Sequence, residues 1–433
     1  MDNTLRKIKK LIPRKVFSTL TPVYHYGLAF AGGVIYHFPS KEIKVVLVTG
    51  TKGKSSTTEF INAMLESAGK KTALLGTIRF KIAEKTWPNK FKMTTPGRFF
   101  VQKFLRDAIT AGCTYAIIEM SSEAAKQYRH KFIDADALVF TNISPEHIES
   151  HGSFEKYLNA KLSLAKALEN SCKKGRIIVA NADDQESEKF LAIHVPVKVS
   201  FKLEDLKPFE LGVAGSTFTL FGQQMHTVLP GKFNLYNILA AANYSFTQGV
   251  SVAQIKTAVE HLEEIKGRVQ KIQAGQNFTV VVDYAHTADS LKNLYEAFPN
   301  SQIIGVLGNC GGGRDTWKRP EMAKIADQYC DEIILTDEDP YDDDPEQIIA
   351  EMRVAIEKKP VSIIMDRRVA IRTAIERAIT LEKTAASRNE KRRIAVLISG
   401  KGTDPYIMRK NGNKEPWSDA NIATEELKKI LAK

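Results

Sequence analysis

The residues whose types and spacing could do chemistry begin at Val48-Thr49-Gly50-Thr51-Lys52-Gly53-Lys54-Ser55-Ser56. An apolar run leads into two glycines, a lysine and two hydroxyls. Such a stretch can cradle phosphate. Backbone N–H groups at a helix start hold the oxygens, and glycines let the backbone come close. Lys54 would reach β- and γ-phosphates, and the Ser55 hydroxyl could bind Mg²⁺. The spacing departs from the common G-x-x-x-x-G-K-[ST] form, whose first glycine would fall on Val48. Taken alone, the match fits a plain strand-to-helix turn as well.

The elements that must position this loop follow from the hydrophobic pattern. Short apolar, β-branched runs at Val45–Val48, Ala73–Leu75, Tyr115–Ile118, Ala137–Phe140 and Ile177–Val179 read as buried parallel strands. Helical stretches lie between them, including Thr57–Ala68 and Phe99–Ala111. From Val195 to Leu229 the texture alternates with turn glycines and predicts antiparallel strands. Helices resume at Asn237–Thr247 and Val252–Leu262. A second series of strands follows at Phe278–Val282, Ile303–Leu307, Ile333–Leu335, Ser362–Met365 and Ile394–Ile398. The expected fold class is α/β: a central P-loop ATPase-like domain with a parallel sheet and a small antiparallel part, then a Rossmann-like C-terminal α/β domain. The expected divisions are a segment 1–44, a central domain 45–271 and a C-terminal domain 272–433.

The chain has 433 residues and a net charge of +12, with ordinary hydrophobic and charged content. The charge suits anionic partners, and scattered solvated lysines explain it equally well. A protein working on nucleic acid would want a separate basic groove bearing aromatics, which the sequence does not set apart, so no nucleic-acid partner is expected. Cys113, Cys172, Cys310 and Cys330 form neither a C-x-x-C pair nor a zinc spacing. A reducing, cytoplasmic setting is expected. The apolar, aromatic stretch Val23–Phe38 lies between Pro22 and Pro39 with basic residues on both sides. It is shorter than the ~20 residues that span a bilayer. A helix packed on the next domain is the plainer reading, and an interfacial membrane anchor is the other.

The loop is accompanied by further segments in a telling order. They are "MTTPGR" (Met93–Arg98), "EMSSEAAKQYR" (Glu119–Arg129), "TNISPEHIESHGSFEKYLNAK" (Thr141–Lys161), "PGKFNLYNILAA" (Pro230–Ala241), "GRVQ" (Gly267–Gln270), "VDYAHTADSL" (Val282–Leu291) and "GNCGGGRDTWKRPEM" (Gly308–Met322). Together, over roughly residues 45–420, they resemble the Mur ligase superfamily, closest to its UDP-N-acetylmuramoyl-tripeptide synthetase branch (MurE). That resemblance implies an ATP-dependent ligase in peptidoglycan precursor synthesis. It would join an amino acid to a UDP-N-acetylmuramoyl-dipeptide-type acceptor through an acyl phosphate, using ATP and Mg²⁺ and acting as a monomer.

The resemblance also implies roles. Lys54, Glu119, His147 and Lys161 would be catalytic, with Ser55, Glu119, His147 and a carbamate on Lys161 holding metal. Gly50, Thr51, Lys52, Gly53, Lys54, Ser55, Ser56, Asn234, Asn237, Arg268, Asp283 and His286 would bind ATP. Asn234 and Asn237, three apart on one helix face, would point at the adenine, with helix N-capping as the alternative. Thr94, Thr95, Ser121 and Arg129 would hold the acceptor, while His151 would shape the loop around His147. Arg319, Asp339, Tyr341 and Asp404 would hold the incoming amino acid.

Three departures from the family pattern matter. Only about forty-five residues precede the loop, where this branch usually carries a UDP-binding domain, so residues 1–44 would stand in its place. Within "TDEDPYDDDP" (Thr336–Pro345), Tyr341 replaces the arginine that pairs with diaminopimelate's distal carboxylate. Asp337, Glu338, Asp339, Asp342, Asp343 and Asp344 make the segment acidic, which suits lysine or ornithine or is simply a solvated acidic loop. "GKGTDPY" (Gly400–Tyr406) carries Asp404 where the family has glutamate. A folylpolyglutamate synthase-like ligase and a non-catalytic Mur-like nucleotide-binding subunit are the alternative readings.

Overall fold

In the computed structural model the described residues are 14–146, 148–313, 316–388 and 390–432, with side chains from Thr21 onward and excepting Ile148. Contacts divide the chain into two compact units. The first comprises residues 1–146, 151–203 and 236–255, and the second residues 147–150, 204–235 and 256–433. The chain changes unit within a helix, between Leu235 and Tyr236.

The first unit is built on an eight-stranded sheet in the order β4-β3-β2-β5-β1-β6-β7-β8. Its strands are β1 (Lys44–Thr49), β2 (Thr72–Leu75), β3 (Arg79–Ile82), β4 (Lys85–Pro88), β5 (Tyr115–Glu119), β6 (Ala137–Phe140), β7 (Ile177–Asn181) and β8 (Val197–Phe201). All pairings are parallel except β2–β3 and β3–β4. β1, β5, β6 and β7 are almost wholly buried because helices cover both faces, which is why they read as unbroken apolar runs. β8 corrects the expectation of antiparallel structure from Val195 onward: it pairs in parallel with β7. An edge strand is covered less completely, so "VKVSF" alternates and imitates an antiparallel strand.

Helices α1 (Arg14–Ile35), α2 (Lys54–Ser67), α3 (Arg98–Thr110), α4 (Ser122–Lys126) and α5 (Phe154–Glu169) belong to this unit. No helix among the described residues is long and apolar enough to cross a membrane. A core of Val45, Leu47, Phe104, Leu105, Ile118, Leu138, Phe140, Leu164 and their neighbours holds the sheet to its helices.

The second unit carries a six-stranded sheet, β12-β13-β17-β14-β15-β16. Its strands are β12 (Gln270–Lys271), β13 (Thr279–Val282), β14 (Ser301–Leu307), β15 (Glu332–Leu335), β16 (Val361–Ile363) and β17 (Arg393–Ile398). Only the β12–β13 pairing is antiparallel. Two apolar clusters cover its faces, one around Val281, Leu294 and Leu397, the other around Val280, Ile371 and Val396. The alternation of side-chain direction along β13 and β17 puts adjacent residues into different clusters. The three-stranded antiparallel sheet β9 (Phe209–Gly212), β10 (Gly215–Leu220) and β11 (Gln223–Thr227) also falls in this unit.

Candidate active site

In a parallel sheet, ligands gather beyond the carboxyl ends of the strands, where helices start and backbone groups are unpaired. In the first unit the residues following β1, β5 and β6 converge there. The turn after β1 is tightly braced. Thr51 N–H donates to Asn142 O (2.8 Å), Lys52 N–H to Asn142 Oδ1 (3.0 Å), and Thr51 Oγ1 lies 2.9 Å from Tyr157 OH. Gly53 caps α2 at φ 80°, the left-handed region that glycine tolerates. A Cβ there would also collide with Asn237 Oδ1, and one on Gly50 would collide with Thr141 Oγ1. Both glycines are thus demanded by packing.

Lys54 Nζ donates to Gly50 O (3.1 Å) and Thr51 O (2.8 Å), so the ammonium is folded over its own loop. Ser55 Oγ donates to Glu119 Oε1 (3.0 Å) and lies 3.2 Å from Oε2. Glu119, at the end of β5 and 1% exposed, also accepts from Thr77 N–H (2.7 Å) and Thr77 Oγ1 (2.9 Å). Thr77 Oγ1 lies 3.0 Å from Thr94 Oγ1, and Thr95 Oγ1 donates to Glu119 O (2.6 Å). A hydroxyl and a carboxylate facing one another are hard oxygen donors, the kind Mg²⁺ takes. The pair fits such an ion, with further ligands still needed.

Lys161, projecting from α5, is fully buried. Its Nζ donates to Gly50 O (2.6 Å) and sits 4.7 Å above the Tyr157 ring. Burial, aided by Lys54, pushes its amine well below the ordinary lysine value. His147 lies outside the described residues. His151 Nε2 is 3.1 Å from Ser122 Oγ and 3.4 Å from Glu123 Oε1, and burial lowers its pKa.

Ser121 caps α4 by accepting from Ala124 N–H (3.1 Å). Arg129 donates to Thr95 O and Gln127 Oε1, and burial draws its guanidinium down to about 10. Asn237 lies beside Gly53 and accepts from Thr57 Oγ1 (3.4 Å). Asn234, one turn earlier, donates back to Pro230 O (2.8 Å). The shared helix face of the two asparagines therefore carries two different environments. Thr141, Asn142 and Tyr157 lay inside a quoted segment but were given no role, and Thr77 lay outside every quoted segment. They are ordinary hydroxyl and amide residues whose part depends on which strand ends lie side by side.

The second unit repeats the logic at its own strand ends. After β13, Asp283 accepts from Val269 N–H and Ala285 N–H, each at 2.7 Å, and burial raises its pKa. Arg268 stacks over the Tyr284 ring at 4.6 Å, and His286 Nδ1 lies 2.8 Å from Tyr284 O. After β14 and β15, Arg319 donates to Glu351 Oε2 (2.7 Å) and lies 3.5 Å from Asp343 Oδ2. Lys401, fully buried, bonds Asp339 Oδ1 (2.9 Å), Asp404 Oδ2 (3.2 Å) and Tyr406 O (2.7 Å). Tyr341 takes φ 54° and donates its N–H to Met408 O (3.0 Å).

The acidic segment is largely engaged within the unit. Asp337 pairs with Arg409, Asp339 with Lys401, Asp342 accepts from Asn411 N–H, and Asp344 caps the helix Pro345–Arg353. Glu338 is 4% exposed, and burial raises its pKa. Sequence reasoning missed Lys401 and Arg409. Lys401 sat inside a quoted motif, so its signal was present, whereas nothing local marked Arg409.

Comparison with known proteins closes the case for the family. Residues 48–244 match the model for the Mur ligase middle domain, and residues 267–402 that for the Mur ligase, glutamate ligase domain. A UDP-N-acetylmuramoyl-L-alanyl-D-glutamate–2,6-diaminopimelate ligase of Syntrophomonas wolfei is 35% identical, over 94% of this chain and 83% of its own. A UDP-N-acetylmuramyl-tripeptide synthetase of Roseiflexus is 34% identical over the same shares. A solved diaminopimelate ligase structure superposes with a TM-score of 0.61 at 28% identity, covering 90% of this chain and 79% of that one. A folylpolyglutamate synthase of Mycobacterium tuberculosis, 15% identical, shares the fold with a TM-score of 0.68 over 88% of this chain and 93% of its own. The chain belongs to the Mur ligase family of amide-bond-forming ligases.

Proposed function

We propose that this ligase joins an amino acid carrying a second amino group to a UDP-N-acetylmuramoyl-dipeptide-type acceptor, with ATP as the energy source, in peptidoglycan precursor synthesis. The observation that carries the reading is the cluster of Lys54, Ser55, Glu119 and Lys161 around one loop at the end of β1. The acceptor carboxylate attacks the γ-phosphorus, ADP leaves and an acyl phosphate forms. The amine then attacks the acyl carbon, inorganic phosphate leaves and the nitrogen loses a proton. The loop N–H groups and Lys54 hold the phosphates as charge shifts between them. Ser55 and Glu119, with His147 and Lys161 as further ligands, would hold Mg²⁺, which would supply charge neutralisation on the phosphates. Thr94, Thr95, Ser121 and Arg129 hold the acceptor. Asn234, Asn237, Arg268, Asp283 and His286 hold the rest of the nucleotide.

Lys161 acts as a carbamate. A buried amine with a lowered pKa is more readily neutral, and the neutral nitrogen adds to CO₂, releasing one proton and leaving an anion. Arg319, Asp339, Tyr341 and Asp404 form the amino-acid site. Lysine, ornithine and diaminopimelate all carry that second amine, and Tyr341 in place of an arginine favours lysine or ornithine, which lack a distal carboxylate. The reaction is assigned to a reducing cytoplasm, since Cys113, Cys172, Cys310 and Cys330 form no disulfide or zinc spacing.

The test is phosphate release and product mass with ATP, Mg²⁺, UDP-N-acetylmuramoyl-L-Ala-D-Glu and each of the three amino acids in turn. Turnover with one of them is expected. No product with any, from protein that still binds ATP, overturns the acceptor assignment.

A further inference from the structure

Helix α1 is built inside out. Its inward side is small: Ala29, Gly32 and Gly33 are buried, and a Cβ on Gly32 would lie 3.5 Å from Gln102 Cγ on α3. Its outward side is large and apolar. Val23, Tyr26, Phe30 and Val34 fall at i, i+3, i+7 and i+11, one stripe of a helix, and are between 46% and 69% exposed. Tyr24 and Ile35 flank the stripe and are exposed too. Tyr26 and Phe30 continue edge-on into Phe132, with ring centroids 5.1 Å and 5.3 Å apart. A globular helix normally does the reverse, and a contiguous exposed apolar patch marks an interaction surface.

The charge pattern says what covers it. No Asp, Glu, Lys or Arg occurs from Val16 to Ser40, whereas the fifteen residues before carry six basic side chains and one acidic one. Lys41 and Lys44 follow on the other side, Lys41 lying 5.3 Å from the Phe38 ring centroid. An uncharged aromatic stripe bounded by cations is complementary to a surface with an apolar interior and an anionic skin. Tyrosines such as Tyr24 and Tyr26 suit that boundary, since the ring is apolar and the hydroxyl stays wet. The helix does not meet the requirement for crossing a membrane, so it would lie along the surface.

We propose that the outward face of α1 docks this ligase on an anionic lipid surface. The two readings of Val23–Phe38 thus apply to opposite sides of one helix: the small side packs on α3, and the aromatic side meets lipid.

The test is flotation of the full chain with vesicles of phosphatidylcholine alone, and of phosphatidylcholine mixed with phosphatidylglycerol, at low and high salt. Wild type is expected to float with the mixed vesicles, more weakly in high salt. The variant Tyr26→Ser/Phe30→Ser/Val34→Ser is expected to lose at least roughly ten-fold in partitioning, because three buried apolar groups are removed. It should keep the wild-type circular dichroism spectrum, with a lower melting temperature because Tyr26 and Phe30 lose their ring contacts with Phe132. Lys9→Glu/Lys10→Glu, which leaves the stripe intact, should weaken binding to the mixed vesicles. Wild type remaining in the aqueous fraction with both vesicles, or a serine variant that floats equally well, overturns the proposal. So does a wild-type dimer that the serine variant converts to monomer, for then a second copy covers the face.

Discussion

At the residue scale the site is a set of buried or braced polar groups, and each makes a checkable demand. Removing the Lys54 ammonium or the Glu119 charge takes away groups held against the phosphate loop. Lys54→Ala and Glu119→Gln should each lower kcat by about a hundred-fold or more, the usual cost of losing a preorganised electrostatic contact. Steady-state phosphate release checks this, with circular dichroism to confirm folding. Gly53→Ala should destabilise the first unit by about 1–3 kcal/mol in denaturant titration, since a left-handed backbone and a collision with Asn237 coincide. His130 offers a pH signature. It is 1% exposed, neither ring nitrogen has a hydrogen-bond partner, and burial lowers its pKa to about 3. The unfolded chain takes up this proton near pH 6.5 while the folded chain refuses it, so stability falls as pH drops through that window. Between pH 6.5 and roughly pH 5 the loss is about 1.6 kcal/mol, and His130→Leu should flatten that part of the curve in urea titrations at several pH values. Lys54 and Ser55 were legible in sequence because their neighbours announce a phosphate loop. Thr77 was not, because a lone threonine has no pattern of its own.

At the scale of elements, strands buried on both faces were the most legible part of the chain. Their apolar runs have no other use, and β1, β5 and β6 lie where the pattern puts them. β8 misled because an edge strand alternates for the same reason an antiparallel one does. Helix α1 was legible as apolar, but its orientation was not: periodicity marks a stripe without saying whether it faces in or out. The packing of Gly32 on α3 supplies a graded test. Gly32→Ala places a methyl group at ordinary contact distance and removes glycine's helix cost, so a gain of about 0.5–1 kcal/mol is expected. Gly32→Leu overfills the same contact and should cost about 1–3 kcal/mol. Thermal melts of the two variants beside wild type decide it.

At the scale of the molecule, two units each bring their own strand ends to a cluster of charged groups. The assignment of Glu204–Leu235 to the second unit was beyond sequence reading, since local pattern gives the strands of this insertion and not what they pack against. A nucleotide that binds the folded loop should raise the melting temperature of the whole chain by mass action, and Lys54→Ala should abolish much of the shift. Differential scanning fluorimetry with a non-hydrolysable ATP analogue reads this directly. The hydrogen bonds that join Ser55 to Glu119, Glu119 to Thr77 and Thr77 to Thr94 have a further consequence. One carboxylate answers both to the nucleotide loop and to the segment assigned to the acceptor. A ligand that recruits the Thr94 hydroxyl alters what Thr77 offers Glu119, and so alters what Glu119 asks of Ser55. Two equilibria that share a term cannot be tuned separately: the factor by which the acceptor changes nucleotide affinity must equal the factor by which nucleotide changes acceptor affinity. Calorimetric titrations run in both orders should close to the same number, and Thr77→Val should bring that number towards one.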